Sequence, residues 1–280
     1  MQHFLFWWQH LPERMNPVIL EIGSFRLQYY GLMYIVAFAI TYGLAAYRLQ
    51  REPRFQIEIE QLQGLMTAMI IGLIVGARLG YVIFYHFSYY LRHPWEIFLP
   101  FGFSGGFHFT GITGMSYHGG LIGVVIAGGF FIHRHRLNFF SMADLIVPCI
   151  PLGYTFGRLG NFINGELYGR ATSHPIGMFF PLAPGPERRH PSQLYEAFFE
   201  GIVLFIALWF VKKKIRTNGA MLGLYLIGYG LVRFFIEYAR EPDAHLGLVL
   251  FSLSMGQLLC MAMMLAGVLL LVYVRSNPRT

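Results

Sequence analysis

The stretch Gly157-Arg158-Leu159-Gly160-Asn161-Phe162-Ile163-Asn164-Gly165-Glu166 closes a long apolar run that begins near Met142. An arginine inside such a run needs a partner, because a charge at the centre of a bilayer-spanning helix costs about 2.5–3.5 kcal/mol on insertion scales and less near an end. Arg158 and Asn161 are three residues apart, so they share one face of a helix. The glycines at 157 and 160 allow another helix or a ligand to approach the backbone beside them.

The composition is that of a polytopic membrane protein. Of the 280 residues, 55% are hydrophobic and only 12% are charged, whereas a soluble domain carries about 25% charged residues. Several apolar runs reach the length of about 20 residues that spans a bilayer. We therefore expect an all-α polytopic membrane protein in which residues 1–280 form a single integral membrane domain.

Neither the net charge nor the cysteines indicate another class of protein. The formal charge is +7, but the basic residues flank apolar runs instead of forming a stripe, so we interpret them as topology signals and expect no nucleic-acid partner. Cys149 and Cys260 both lie in apolar surroundings without metal-ligand spacing, which favours a packing role.

Hydropathy predicts about seven spans and two long connections. The spans are roughly 30–47, 62–84, 118–132, 142–159, 194–211, 220–236 and 250–274, and Ser141 to Asp144 fit a capping box at the start of the fourth. The connections 86–117 and 160–189 are rich in glycine or proline. We expect them to be long extracytoplasmic loops that form a small outer cap, either a substrate-binding lid or an ordered cover without chemistry.

Basic residues in the connections predict an external N-terminus and a cytoplasmic C-terminus. Eleven of the 21 Lys and Arg residues follow the first, third, fifth and seventh spans. Seven more are spread over longer segments on the other side, and Arg78, Arg158 and Arg233 lie inside spans. Arg48, which follows the first span, is expected to be an ordinary flanking residue.

With this orientation, the unusual polar residues gather at the outer end of the spans. Tyr229, Arg233 and Glu237 are spaced by four residues on one helix face, which Arg240 continues. An internal Arg233–Glu237 ion pair that lets the helix insert is one interpretation, and a functional site is the other. The two are compatible, because a carboxylate can orient an arginine that also binds a ligand.

Two arginines at one membrane level predict a phosphate site. The guanidinium fork of Arg158 or Arg233 can bind phosphate oxygens bidentately and keeps its charge, and at the outer level the phosphate would belong to a phospholipid. His118, beside Gly119, can carry a proton near neutral pH, with a hydrogen-bonded structural role as the alternative. Glu196 is expected to pair with an arginine or a histidine, unless it is exposed to solvent.

These residues lie in segments that resemble the bacterial phosphatidylglycerol–prolipoprotein diacylglyceryl transferases. The resemblance covers nearly the whole chain. Its segments are YYGLMY (29–34), GARLGYVIFY (76–85), SYHGGLIG (116–123), GRLGNFINGELYGR (157–170), RHPSQLYE (189–196), IGYGLVRFFIEYAR (227–240) and SMGQ (254–257).

The resemblance implies that the enzyme moves the diacylglyceryl group of phosphatidylglycerol onto the lipobox cysteine of a prolipoprotein, and that it uses neither a metal nor another cofactor. It also implies a multi-pass protein of the bacterial cytoplasmic (inner) membrane with its active site toward the outer leaflet. The matching residues are His118, Arg158 and Arg233 as catalytic groups and Tyr30, Asn161, Glu166, Tyr229, Glu237 and Arg240 as substrate-binding groups. Close backbone approach is expected at Gly119, Gly157, Gly160 and Gly169.

The sequence leaves three points open. The base for the cysteine thiol could be His118, or the arginines could lower the thiol pKa without a dedicated base. A carrier or flippase for an anionic lipid or solute is the alternative function, and a non-catalytic membrane scaffold is a weaker one. The segment 102–117 is longer and richer in glycine than the short family lead-in to the histidine, so its role does not transfer from the resemblance.

Overall fold

The protein is mainly helical in a computed structural model that describes residues 2–23, 25–99, 101–102, 108–109, 114–241, 248–250 and 253–277. The α-helices are α1 (Gln2–Gln9), α2 (Tyr29–Arg51), α3 (Ile59–Tyr85), α4 (Phe87–Arg92), α5 (Tyr117–Arg134), α6 (Phe139–Ile146), α7 (Ile150–Ile163), α8 (Ser192–Tyr195), α9 (Leu204–Val211), α10 (Ala220–Ile236) and α11 (Met255–Ser276). A π-helix covers Glu196–Val203, and 3₁₀ turns cover Pro12–Arg14, Pro94–Ile97 and Val147–Cys149.

Short strand pairs are the remaining regular elements of the described chain. Strand β1 (Val18–Ile22) pairs with β2 (Phe25–Gln28), β3 (Phe101–Gly102) with β4 (His108–Phe109), and β5 (Leu248–Leu250) with β6 (Leu253–Ser254). The pairs β3–β4 and β5–β6 are antiparallel. Much of the glycine-rich segment 102–117, namely residues 103–107 and 110–113, lies outside the described residues.

The described helices make this a polytopic membrane protein, as predicted. Five of them are long and apolar enough to cross a bilayer: Tyr29–Arg51, Ile59–Tyr85, Phe139–Ile163, Ser192–Val211 and Met255–Ser276. Helix α10 is apolar but has 17 residues, and α5 has 18 and is not among the five. Every predicted span coincides with a helix, while the count of seven crossings and the outer cap stay predictions.

Three predicted boundaries were wrong. The first span continues to Arg51 instead of ending at 47. The fourth span continues to Ile163 instead of ending at 159, so residues 160–163 are helical and do not belong to the second connection. The seventh begins at Met255, where Ser254 and Gln257 form a capping box, so residues 250–254 precede the helix. A helix end is set by its caps, not by the point at which the apolar run stops. Hydropathy alone therefore misplaces such ends by about one turn.

The predicted capping box at Ser141 was also wrong, because α6 begins at Phe139 and the Asp144 carboxylate caps a different helix. Asp144 Oδ2 accepts a hydrogen bond from the backbone N–H of Gly219 at 3.0 Å, and Oδ1 accepts one from Leu222 N–H at 3.1 Å. Gly219, which precedes α10, has no side chain to satisfy these amides. The fully buried Asp144 carboxylate on α6 therefore caps the N-terminus of α10.

Arg48 was wrongly expected to be a flanking residue, because it is fully buried. Its Nη1 donates to the carbonyl oxygens of Asp144 and Leu145, both at 2.6 Å. Pro148 lies four residues after Asp144 and has no N–H, so the Asp144 carbonyl lacks its helical donor. The end of α2, the last turn of α6 and the start of α10 consequently meet at Asp144.

The chain forms two compact units, Met1–Leu20 with Leu27–Arg48 and Phe140–Thr280, and Glu21–Arg26 with Leu49–Phe139. In the second unit α3 and α5 pack with close backbone approach: a Cβ at Gly119 would contact the carbonyl oxygen of Gly76 and lie 2.8 Å from Gly80 Cα. Arg78 in the same unit donates from Nε and Nη2 to the carbonyl oxygens of Ile97 and Glu96, at 2.5 and 2.6 Å.

Candidate active site

One buried carboxylate joins three arginines in the first unit. Glu196, the first residue of the π-helix, is fully buried. Its Oε1 accepts hydrogen bonds from Arg233 Nη1 at 2.8 Å and from Arg240 Nη1 at 3.0 Å. Its Oε2 lies 2.8 Å from Arg158 Nε. Two guanidinium groups from separate helices, Arg158 on α7 and Arg233 on α10, therefore share one carboxylate.

Two more carboxylates balance the charge of the arginines. Glu200 Oε1 lies 3.5 Å from Arg233 Nη1, and Glu237 Oε2 lies 3.1 Å from Arg233 Nη2. Glu200 is fully buried and Glu237 is buried. Buried charges persist when they are paired, and the local set consists of three arginines and three glutamates. Glu196 and Glu200 both lie on the π-helix, a rare element that is frequent at functional sites.

Tyr154 connects Arg158 with Glu200. Arg158 Nε–H donates to Tyr154 Oη at 2.6 Å, and that hydroxyl donates to Glu200 Oε2 at 2.6 Å. The guanidinium carbon of Arg158 also lies 4.8 Å from the centroid of the Tyr154 ring, which is cation–π distance. The ring of Tyr229 meets that of Tyr154 edge-to-face at 6.1 Å. A ring and a hydroxyl thus hold one side of the Arg158 guanidinium.

The opposite side of Arg158 faces a polar chain at the end of α7. Arg158 Nη1 donates to Asn161 Oδ1 at 3.2 Å, and Asn161 Nδ2 donates to Glu166 Oε1 at 2.8 Å. The start of α2 packs beside this chain, since a Cβ at Gly160 would lie 3.3 Å from Tyr30 Cδ2. The Tyr30 hydroxyl is 3.0 Å from the hydroxyl of Tyr34.

The segments after α7 and α10 are tied together beside the cluster. Gly169 and Arg240 form an isolated antiparallel bridge, and Arg170 Nε donates to the Arg240 carbonyl oxygen at 2.8 Å. A Cβ at Gly169 would contact the carbonyl oxygen of Ala239. On the other side, Ser254 Oγ donates to Glu237 Oε1 at 3.2 Å. A cavity of about 310 Å³, lined in part by Glu166 and Arg240, adjoins the cluster.

Comparison with known proteins gives one consistent result. The family model for prolipoprotein diacylglyceryl transferase matches residues 17–273. The chain belongs to the prolipoprotein diacylglyceryl transferase family. Three relatives, each called phosphatidylglycerol–prolipoprotein diacylglyceryl transferase, show the similarity. The protein of Chlorobaculum tepidum is 54% identical, with 99% of this chain and 96% of the relative covered. That of Bordetella parapertussis is 45% identical, covering 95% and 97%, and that of Helicobacter pylori is 40% identical, covering 97% and 97%.

The protein is therefore a prolipoprotein diacylglyceryl transferase, as predicted. The alternative functions, an anionic-lipid carrier and a non-catalytic scaffold, are set aside. Within this transferase family, the described first unit brings together Arg158 and Arg233 with Asn161, Glu166, Glu237 and Arg240. Tyr30 lies next to Gly160, and the ring of Tyr229 contacts the ring of Tyr154. The catalytic and binding roles of these residues stay predictions.

His118 is exposed in the second unit, one residue after the start of α5, where its ring meets that of Tyr117 edge-to-face at 5.6 Å. Its role as a base stays a prediction. Gly119 and Gly160 both have close neighbours, but apart from its own helix no described atom lies within 4 Å of a Cβ placed on Gly157. No helix packs on Gly157 within the described chain, so only the approach of a ligand stays predicted there.

Tyr154 and Glu200 are the members of the cluster to which the sequence assigned no role. Each had a usable signal, because Tyr154 precedes Arg158 by four residues and Glu200 follows Glu196 by four. Helical spacing places such pairs on one face. A tyrosine and a carboxylate that share a face with a charged residue inside a span are candidates for its partners.

Proposed function

We propose that this transferase moves the diacylglyceryl group of phosphatidylglycerol to the lipobox cysteine thiol of a prolipoprotein, the first step of bacterial lipoprotein maturation. The observation that carries the proposal is the Glu196 carboxylate between Arg158 and Arg233, 2.8 Å from each. It holds two guanidinium forks side by side, and such forks match phosphate oxygens. The names of the relatives supply the donor, phosphatidylglycerol, and the acceptor, a prolipoprotein.

The reaction is a displacement at carbon. The cysteine sulfur attacks the glycerol carbon that carries the phosphate ester, a C–S thioether bond forms, and the C–O bond breaks. The electron pair of that bond leaves with the phosphate oxygen, so glycerol phosphate departs with an added negative charge. Preplaced cations stabilise such charge in the transition state more than in the ground state. Arg158 and Arg233 would bind the phosphate throughout and stabilise the departing oxygen.

The thiol must lose its proton before or during the attack. A free cysteine has a pKa of about 8.5 and a histidine one of about 6.5, so His118 could accept the proton near neutral pH. The positive field of the arginines could instead lower the thiol pKa. The exposure of His118 is compatible with contact to a substrate. Its replacement by asparagine would leave the pH–rate profile unchanged if it is not the base.

The remaining predicted residues would bind the lipid and the peptide around this centre. Asn161 and Glu166 continue the polar chain from Arg158, while Glu237 and Arg240 fix the other side of the cluster. The excess of basic residues after the odd-numbered spans favours a site toward the outer leaflet of the cytoplasmic membrane. That leaflet also faces exported prolipoproteins.

Mass spectrometry tests the proposal directly. The purified protein is incubated with a synthetic lipobox peptide and vesicles of phosphatidylglycerol, with phosphatidylethanolamine vesicles as the matched donor control. We expect the peptide to gain the mass of one diacylglyceryl group and glycerol phosphate to appear in equal amount. A peptide whose cysteine is replaced by serine should stay unmodified. The proposal would be overturned if the peptide gained no mass while a related transferase modified the same peptide under the same conditions.

A further inference from the structure

We propose that Tyr154 is a positioning residue that fixes the rotation of the Arg158 guanidinium, with Glu200 holding the Tyr154 hydroxyl in place. This inference rests on the proposed function, in which Arg158 binds the phosphate. Tyr154 and Glu200 are joined at 2.6 Å, and neither would touch the lipid or the peptide in this role. They would act through Arg158.

The hydrogen of Arg158 Nε decides the orientation of the guanidinium. Two acceptors compete for it at similar distance, Tyr154 Oη at 2.6 Å and Glu196 Oε2 at 2.8 Å. Nε carries a single hydrogen. Only the tyrosine contact has hydrogen-bond geometry, and Glu196 Oε2 is a buried oxygen without a hydrogen bond among the described residues. The neutral hydroxyl thus takes the hydrogen that a carboxylate lies ready to accept.

Because Arg158 Nε donates to the neutral Tyr154 hydroxyl, part of the guanidinium stays free to bind a phosphate. With Nε on Tyr154 and Nη1 on Asn161, the Nη2 group of Arg158 has no acceptor among the described residues. A fork that rotated onto Glu196 would form a bidentate ion pair and turn its Nη groups away from a ligand. A guanidinium already paired bidentately with Glu196 would offer a phosphate fewer free N–H donors.

Glu200 is what keeps the hydroxyl in position. It is fully buried and accepts from Tyr154 through Oε2, while its Oε1 lies 3.5 Å from Arg233 Nη1. A phenol hydroxyl can rotate about its C–O bond, and a fixed acceptor settles which way its hydrogen points. With the hydrogen on Glu200, a lone pair of the oxygen faces Arg158 Nε. The two phosphate-binding arginines are thereby joined by a second path besides Glu196.

Three variants test this in the intact enzyme, with transfer from phosphatidylglycerol and competitive inhibition by glycerol phosphate as readouts. Tyr154→Phe keeps the ring and loses the hydroxyl. We expect kcat/KM to fall roughly 10- to 100-fold, the scale of a misplaced catalytic group, and the inhibition constant of glycerol phosphate to rise. Tyr273→Phe, the same change on α11 away from the cluster, serves as the control and should leave both values unchanged.

The Glu200 pair separates positioning from packing and from charge. Glu200→Gln keeps an acceptor oxygen for the Tyr154 hydroxyl but loses the negative charge beside Arg233 Nη1, so its kcat/KM should lie between those of wild type and Glu200→Leu. Glu200→Leu removes both the acceptor and the charge and should lose at least as much kcat/KM as Tyr154→Phe. Equal activity of the Gln and Leu variants would overturn the inference, as would a Tyr154→Phe enzyme that folds and keeps wild-type kcat/KM. If Tyr154→Phe does not fold, the Glu200 pair decides alone. Inactivity of the wild-type enzyme toward phosphatidylglycerol would instead reject the proposed function.

Discussion

Glu196 and Arg233 form the central ion pair of the site, with Glu196 Oε1 2.8 Å from Arg233 Nη1 although the two residues lie on different helices. The same oxygen serves Arg240, and the other oxygen lies beside Arg158. One carboxylate therefore offsets the mutual repulsion of three cations. A phosphate bound beside it would meet guanidinium groups that are already oriented and need no rearrangement during the reaction.

Replacing Glu196 should affect folding and activity together. In Glu196→Gln the shape is kept, but three arginines lose their shared negative charge. Breaking a buried pair by removing one partner costs about 3–5 kcal/mol, so we expect a lower thermal midpoint in detergent and a large loss of transfer. Glu187→Gln, on the exposed loop before the π-helix, is the control and should melt like wild type. An unchanged midpoint for Glu196→Gln would show that the carboxylate is not needed to hold the arginines.

Lysine at either arginine of the proposed phosphate site should keep the fold and slow the reaction. Arg158→Lys and Arg233→Lys retain a positive charge but lose the planar fork. Loss of one preorganised donor to a developing anion costs about 10²–10³-fold in rate, so we expect kcat losses of that order in the mass-spectrometric assay. Arg170→Lys, whose guanidinium meets a backbone carbonyl, is the comparison. Wild-type kcat in both cluster variants would exclude bidentate binding.

Arg48 should matter for stability and not for the chemical step. It donates to two backbone carbonyls at the end of the unit opposite Arg158. Arg48→Met fills part of the volume but leaves buried acceptors without donors, at a cost of about 1–3 kcal/mol each. We expect a lower thermal midpoint with unchanged KM for the lipid. Arg51→Met, at the exposed end of the same helix, should have little effect. Equal midpoints for the two variants would contradict the assigned role of Arg48.

His190 should make the stability of the protein depend on pH. Partial burial and the nearby His174 lower the pKa of the His190 imidazole below its usual range. As pH falls through about 6.5, the unfolded chain takes up this proton before the folded protein does, so stability decreases. The thermal midpoint of wild type should therefore drop more between pH 7.5 and 5.5 than that of His190→Gln. A parallel drop in both proteins would remove His190 as a cause.

Much of this architecture could be predicted from the sequence, because apolar runs specify membrane helices and spacing by three or four specifies a shared face. Arg158 with Asn161 and Arg233 with Glu237 follow from spacing within one helix. The contact of Glu196 with three arginines could not be derived with certainty, since it joins residues far apart in the sequence. The tertiary packing of α7, α10 and the π-helix decides it.

Two polar residues near helix ends have roles that their local sequence does not reveal. Arg48 and Asp144 look like an ordinary flanking charge and an ordinary cap in the sequence, yet both serve the backbone of another segment. What requires them is a missing partner: Pro148 has no N–H, and Gly219 has no side chain. A local sequence pattern shows which polar group a residue carries. Only the tertiary structure shows which buried backbone group elsewhere in the chain needs that group as a partner.

The glycines at 157 and 169 should respond differently to the same substitution. A Cβ at Gly169 would contact the Ala239 carbonyl oxygen and lie 2.9 Å from His190 Cβ, so Gly169→Ala must displace the bridge to Arg240 and lower the thermal midpoint. A Cβ at Gly157 meets no described neighbour outside its own helix. Alanine has the higher helix propensity, by about 0.8–1.0 kcal/mol, so Gly157→Ala should melt no lower than wild type.

The activity of Gly157→Ala then reports on the ligand. Gly157 directly precedes Arg158, and a methyl group there would enter space in which no described atom outside its own helix lies within 4 Å. If the lipid approaches the backbone at this point, Gly157→Ala keeps its stability and raises the KM for phosphatidylglycerol, because the methyl group occupies room that the headgroup needs. Titration of the lipid in mixed micelles gives KM and kcat separately. A stable variant with wild-type KM would place the lipid elsewhere and leave Gly157 without a binding role.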